Sequence, residues 1–316
     1  MARNRAAEKL AVLEKRTTRL CQLIDDRDSG KLERETIKLA QLLLLCALPY
    51  SRTRARYVTR RARLGDGTEL SVTFGAGKEG VELPFGSDRR LMAWLIDRAA
   101  QSESPFVPWE AAWEYQREVG MSHSGRSNQR LQESFLRLRG LSLAISHKDY
   151  SSHVEDNFSL IRRSYLPRSI RGDDDRNVVN IADFPESKGG FGLLIDPLFH
   201  QDIRRTQFHA AIPRGIWRQL RGSPQVQDIA LFLYWRCYAA KNESVVPWSA
   251  LEGQYGPSSN PRRQREYARE AVNFLHGLWP GCTAEIIDTG IMVDYVTRPL
   301  LLNDASAKRV RLLHKN

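Results

Sequence analysis

The sequence predicts an α+β protein, mostly α, built from two tandem winged-helix units related by internal duplication and preceded by N-terminal helices. Three observations carry this. A scaffold of apolar and tryptophan residues occurs twice, an arginine-rich helix follows each copy, and β-like residues follow each of those helices. Helix, helix, arginine-rich helix and β-ribbon is the order of a winged helix, a variant of the helix-turn-helix scheme.

The repeat is concrete. Leu91 to Ala100, then Ser104, Val107-Pro108-Trp109 and Ala111, recurs as Leu231 to Ala240, then Ser244, Val246-Pro247-Trp248 and Ala250. Both copies then reach a glycine, Gly120 or Gly256, and a short polar loop. The first arginine-rich helix ends before Leu141 to Ile145, with Phe158 to Ile161 as the returning wing strand; the second ends before Ala284 to Ile287 and Ile291 to Val296, hinged at Asp288-Thr289-Gly290.

Upstream, apolar residues recur at helical spacing from Asn4 to Asp26 and from Leu32 to Cys46, which predicts two helices separated by Asp28-Ser29-Gly30. Their apolar stripes are expected to pack on the first domain, with a dimer contact as the alternative. Tyr57 to Phe74 alternates and breaks at Gly65-Asp66-Gly67, a hairpin signature because these residues tolerate the positive φ of tight turns. A helix from about Asp88 to Ala100 follows, with Leu91, Trp94, Leu95 and Ile96 on one side. The expected organisation is an N-terminal helical extension (1–48), a first winged-helix domain (49–167), a polar linker (168–190), a second winged-helix domain (191–300) and a basic tail (301–316).

With 316 residues, 41% of them hydrophobic, the chain can fill the cores of two domains. A formal net charge of +11 favours a polyanionic partner. The longest apolar run, Leu42 to Leu48, is too short to span a bilayer, so no membrane partner and a cytoplasmic location are expected. Cys21, Cys46, Cys237 and Cys282 form no CxxC pair, which speaks against a zinc ribbon and a disulfide framework.

On the helix from Arg126 to Arg139, Leu131, Phe135 and Leu138 fall together at 100° per residue, and Arg126, Gln129, Arg130, Glu133 and Arg137 fall opposite. The helix from Pro261 to Leu278 has Asn260 as its N-cap; Ala271, Leu275 and Leu278 face inward, and Arg262, Arg265, Glu266, Arg269 and Asn273 outward. Arginine and glutamine can pair with guanine and adenine edges in the major groove, while serine and asparagine near a helix start can anchor phosphates. The candidate DNA contacts are therefore Arg126, Ser127, Asn128, Gln129, Arg130 and Arg137 in the first helix and Arg262, Arg263, Arg265, Arg269 and Asn273 in the second. Arg56 and Arg60, from the basic cluster Arg52, Arg54, Arg56, Arg60, Arg61 and Arg63 around the hairpin, are candidate phosphate contacts. The basic tail has Lys308, Arg309, Arg311 and Lys315. Trp94, Trp109, Trp235 and Trp248 are expected in the core rather than as base-stacking platforms.

Enzyme signatures fail. Gly75-Ala76-Gly77-Lys78-Glu79 has one residue between its glycines and lacks the Ser or Thr of a phosphate loop. His123, His147, His153, His200, His209 and His276 offer no closely spaced metal-binding pair for a nickase, and Asp173 to Asp175 reads as a loop. No catalytic residue, metal site or cofactor is expected.

Leu83-Pro84-Phe85-Gly86-Ser87, followed by Arg90-Leu91 and Trp94-Leu95, resembles the RepA-type plasmid replication initiators. The resemblance runs on through Gly125-Arg126 to Phe135, Ile212-Pro213, Ser223-Pro224 to Trp235, Trp248 to Gly256, and Arg262 to Leu278, roughly residues 48–296. The chain departs from the family in having Phe85 for tyrosine and a single glycine, Gly125, before the first recognition helix. What the resemblance implies is a protein that binds repeated sites (iterons) of double-stranded DNA in a plasmid origin, helps open the duplex, and recruits host replication initiation proteins and helicase. It further implies a homodimer that represses its own gene. A winged-helix transcriptional repressor without initiator activity is the alternative.

Overall fold

The computed structural model describes residue 21 and residues 36–296 except 66, 78, 110, 120, 123, 150, 167–190, 206–208, 221, 222, 257–259 and 280. The helix expected from Asn4 to Asp26 lies outside the described residues except for Cys21, which is helical, and the linker and basic tail lie outside them altogether. The described chain is α+β and mostly α, and it divides into two compact units. The larger comprises Lys38–Ala211 and Ser249–Pro257; the smaller comprises Met1–Ile37, Ile212–Trp248 and Ser258–Asn316.

Of the helix expected from Leu32 to Cys46, residues 32–35 lie outside the described residues, and within 36–46 only Gln41–Leu45 is helical. Strand β1 is Thr36–Ala40, and helix α1 is confined to Gln41–Leu45. Ile37 and Leu39 are buried in alternation while Thr36 is exposed, and β1 pairs with β9 (His209–Pro213), a distant partner that overrides local helical spacing.

In the larger unit the expected hairpin is present as β2 (Tyr57–Arg63) and β3 (Glu69–Ala76), with Gly67 at φ +90° in the turn. Helix α2 (Asp88–Gln101) buries Leu91, Trp94, Leu95 and Ile96. The short strand β4 (Phe106–Pro108), helix α3 (Ala112–Glu118) and helix α4 (Gly125–Arg139) follow, then the ribbon β5 (Leu141–Lys148) and β6 (His153–Ser159). This ribbon joins the hairpin in one antiparallel sheet of order β2-β3-β5-β6. Leu70, Val72, Phe74, Leu143, Ile145 and Phe158 form its buried face, as period-two alternation requires.

Two further strands, β7 (Ile161–Tyr165) and β8 (Gly192–Ile195), build a second sheet of order β4-β8-β7. Gly192 is required there, since a Cβ would stand 2.6 Å from the Val107 carbonyl oxygen. Helix α5 (Pro197–Arg204), capped by Asp196, buries Phe199 and Ile203, and its His200 imidazole bonds the carbonyls of Ala99 and Ser102 at the end of α2. Residues 191–204, expected in the second domain, thus pack in the larger unit, because β4 takes β8 as its partner.

The smaller unit holds helix α6 (Arg214–Gln219), helix α7 (Pro224–Ala239) and strand β10 (Ser244–Pro247). Helix α8 (Trp248–Tyr255) starts there, but from Ser249 onward it belongs to the larger unit, where Gln254 accepts from the Ala47 amide and Tyr255 donates to the Leu44 carbonyl. Helix α9 (Pro261–Leu278) and the ribbon β11 (Glu285–Ile287) and β12 (Gly290–Val293) complete the smaller unit. Its sheet order is β10-β12-β11. The duplicated order is therefore α2, β4, α3, α4, β5-β6 in one copy and α7, β10, α8, α9, β11-β12 in the other. The copies differ in their pairings: β10 joins its own ribbon, whereas β4 joins β8 and the first ribbon joins β3 instead.

Candidate nucleic-acid interface

Helix α4 begins at Ser124, whose hydroxyl accepts from the Ser127 amide at 3.2 Å. Leu131, Ser134, Phe135 and Leu138 are buried, with Phe135 edge-on to Trp109 at 4.8 Å between ring centres. The opposite face leaves Arg126, Gln129 and Arg130 exposed. These three stand where a recognition helix needs them.

The other candidates on this helix serve the scaffold. Ser127 is buried and its hydroxyl lies 3.0 Å from that of Ser124. Asn128 accepts from the Gln116 amide at 2.7 Å, linking α3 to α4. Arg137, expected to face outward, turns instead onto the buried Asp88, with Nε 2.6 Å from Oδ2 and Nη2 3.0 Å from Oδ1, and lies 4.8 Å above the Phe85 ring. Burial opposes its charge, but the hydrogen bonds and the charge of Asp88 outweigh that and hold its pKa above the ordinary value. Helical spacing misassigned it because a long side chain can reach sideways off its nominal face.

Helix α9 is opened by Asn260, whose side chain accepts from the amides of Arg262 and Arg263 at 3.0 and 3.4 Å, with Pro261 in the first turn. Gln264, Ala268, Ala271, Val272, Leu275 and Leu278 are buried. Arg262, Arg263, Arg265, Arg269 and Asn273 are all exposed, as expected. Arg262 sits 3.3 Å from Glu266, a pair worth little in its 88% and 55% exposed setting. Arg263 lies over Tyr267 and Arg265 over Trp248, at 5.5 and 5.3 Å.

Trp248 departs from the core role expected of it. It is partly exposed, donates to the Asp288 carbonyl in the wing turn at 2.8 Å, and supports the Arg265 guanidinium on its ring. Trp94 and Trp109 are buried as expected, while Trp235 is half-buried. The clue missed in the sequence was the place of Trp248 between Pro247 and Ser249, at a helix start rather than on an apolar stripe.

The hairpin arginines separate. Arg56 is exposed and donates to the Ala76 carbonyl at 3.2 Å. Arg60 is half-buried, donates to the Ala47 carbonyl at 3.2 Å, and lies so close to Gly256 that a Cβ there would stand 2.7 Å from the guanidinium. Burial lowers its pKa from the ordinary value. Arg60 is a packing residue. Arg61 and Arg63 point with Thr59 to the open face of the sheet, and Arg52 pairs with Glu82 at 2.6 Å. The same open face holds a groove of about 510 Å³ lined by Tyr57, Thr73, Ser142, Asn157 and Arg162.

Among the described residues no cluster of His, Cys, Asp and Glu is arranged to hold a metal, and no helix is long and apolar enough to cross a membrane. The fold and this surface define a duplicated winged-helix protein with an arginine-bearing third helix in each copy. No protein-family profile matches the sequence, and no curated protein does. Among solved structures the chain is similar to domains 2–3 of RctB, at 14% identity and a TM-score of 0.45, covering 77% of this chain and 83% of that one. A selenomethionine form of the same domains gives 13%, 0.44, 75% and 82%.

Proposed function

We propose that the protein is a non-enzymatic plasmid replication initiator that binds repeats of double-stranded DNA in an origin through its two winged-helix copies, promotes opening, and brings in host replication initiation proteins and helicase. One observation carries the reading. At corresponding places in a duplicated scaffold, α4 presents Arg126, Gln129 and Arg130, and α9 presents Arg262, Arg265, Arg269 and Asn273, each helix held by a buried opposite face.

A solvated arginine face needs no such placement, whereas base readout does. The net charge of +11 adds the salt-dependent, sequence-independent part of the affinity. The resemblance to RepA-type initiators, noted above from Leu83 to Ser87 onward, supplies the replication step.

The test is binding of the purified chain to duplexes tiling the DNA beside its gene, against scrambled duplexes across a salt series, followed by maintenance of a plasmid that depends on the gene. Repeated-site binding that survives moderate salt together with plasmid maintenance is the expected result. Site binding without maintenance identifies a repressor, and equal binding to every duplex overturns the reading.

A further inference from the structure

Helix α7 carries Tyr234, Cys237 and Tyr238 on one side, because residues three and four apart share a helical face. The chain leaving α9 is laid across that side. Trp279 stacks on Tyr238 at 4.9 Å with the planes 14° apart, and meets Tyr234 at 5.5 Å. Three residues on, the Cys282 amide closes a turn onto the Trp279 carbonyl at 2.9 Å. Thr283 is then fixed to the far end of the ribbon: its hydroxyl donates to the Asp294 carbonyl at 2.6 Å and accepts from the Asp294 amide at 3.2 Å.

Held between these anchors, Cys282 meets Cys237, and the two thiols share a hydrogen bond while remaining unbridged. Cys237 is fully buried and Cys282 half-buried, which makes Cys282 the more exposed residue of the pair. The Thr283 and Ala284 amides also donate to the Cys237 sulfur, and the Thr283 side chain lies against it. The Cys282 thiol and these donors bring the Cys237 thiol down to about 7 against the opposing effect of burial. Cys282, as the donor of the pair and buried beside it, is pushed up. Two sulfurs are too few for a structural metal, and the described residues bring no third ligand to them.

We propose that Cys237 and Cys282 are an oxidation site that takes a hydroperoxide and closes to an intramolecular disulfide joining α7 to the root of the wing. The Cys237 thiolate attacks the peroxide, breaking the O–O bond, and becomes a sulfenic acid as alkoxide or hydroxide leaves. That leaving group takes the Cys282 proton. The Cys282 thiolate then attacks the Cys237 sulfur, forming the S–S bond and releasing hydroxide. Both sulfurs are oxidised and the peroxide is reduced.

The chemistry is independent of DNA binding and is tested without it. The reduced full chain is treated with stoichiometric hydrogen peroxide, its remaining thiols are alkylated, and its peptides are mapped. The expected result is a Cys237 to Cys282 linked peptide that dithiothreitol separates, with Cys21 and Cys46 still alkylated; Cys282→Ser leaves the Cys237 sulfenic acid to be trapped instead. Recovery of Cys237 and Cys282 both as alkylated thiols, or conversion of Cys282 to sulfinic acid beside an intact Cys237 thiol, overturns the proposal.

Discussion

Asp88, at the first turn of α2, receives the guanidinium of Arg137 near the end of α4 on both carboxylate oxygens, and accepts in addition the Ser134 hydroxyl at 2.6 Å and the Phe85 amide at 3.0 Å. One buried carboxylate thereby sets the position of α4 on its scaffold.

Arg137→Ala is expected to cost about 3–5 kcal/mol of stability, because it leaves the Asp88 charge buried without its partner. Arg137→Lys should recover only part of this, since a lysine cannot make the two-nitrogen contact. Chemical denaturation of the full chain measures both. An unchanged midpoint for the alanine variant would mean that the pair does not hold α4.

Removing Arg265 or Arg269 is expected to lose about 1–3 kcal/mol of discrimination between specific and scrambled duplex if each makes a paired base contact. Arg56→Ala should weaken all duplexes alike and flatten the salt dependence, as a phosphate contact does. Arg60→Ala should act through stability, given its place against Ala47 and Gly256. Titrations of both duplexes at several salt concentrations separate these classes, and equal losses on both duplexes from Arg265→Ala would count against base readout.

Asn260→Ala should cost about 1 kcal/mol by freeing two amides at the start of α9. Asn260→Gly should cost only a few tenths of a kcal/mol. Matching losses in the two variants, read by thermal unfolding, would show that the cap contributes little.

Gly290→Ala is expected to displace the wing of the smaller unit, because a Cβ at Gly290 would stand 2.1 Å from the Val246 carbonyl oxygen, a backbone atom that has no rotamer to yield. Faster amide exchange along Ser244–Pro247 and Gly290–Val293 is the measurement. Protection equal to that of the unaltered chain would show that β10 and β12 can separate without loss.

Local signals were legible and remote pairings were not. The hairpin showed itself through Gly65-Asp66-Gly67 and α9 through Asn260-Pro261, since turns and caps are written in adjacent residues. Thr36–Ala40 read as helix because its partner strand lies more than 160 residues away, at His209–Pro213. Arg137 read as outward because no local pattern reports that Asp88 lies within reach. Among the candidate contacts, the placements of Arg126, Arg130, Arg262, Arg265 and Arg269 followed from helical spacing alone.

The partner chosen by β4 dictates a schedule of synthesis. A strand ending at Pro108 waits for Gly192 to Ile195 to emerge from the ribosome, and the amide of Ala47 waits longer still, for the carbonyl of Gln254. The nascent chain therefore carries the arginine helix α4 before the sheet beneath its scaffold can close, and the entropy of closing those long loops slows that step. Strands β10 and β12, separated by a far shorter stretch, can pair soon after they appear. The larger unit begins first and finishes late, so truncation anywhere before residue 257 should yield a nascent chain whose larger unit is incomplete and prone to aggregate.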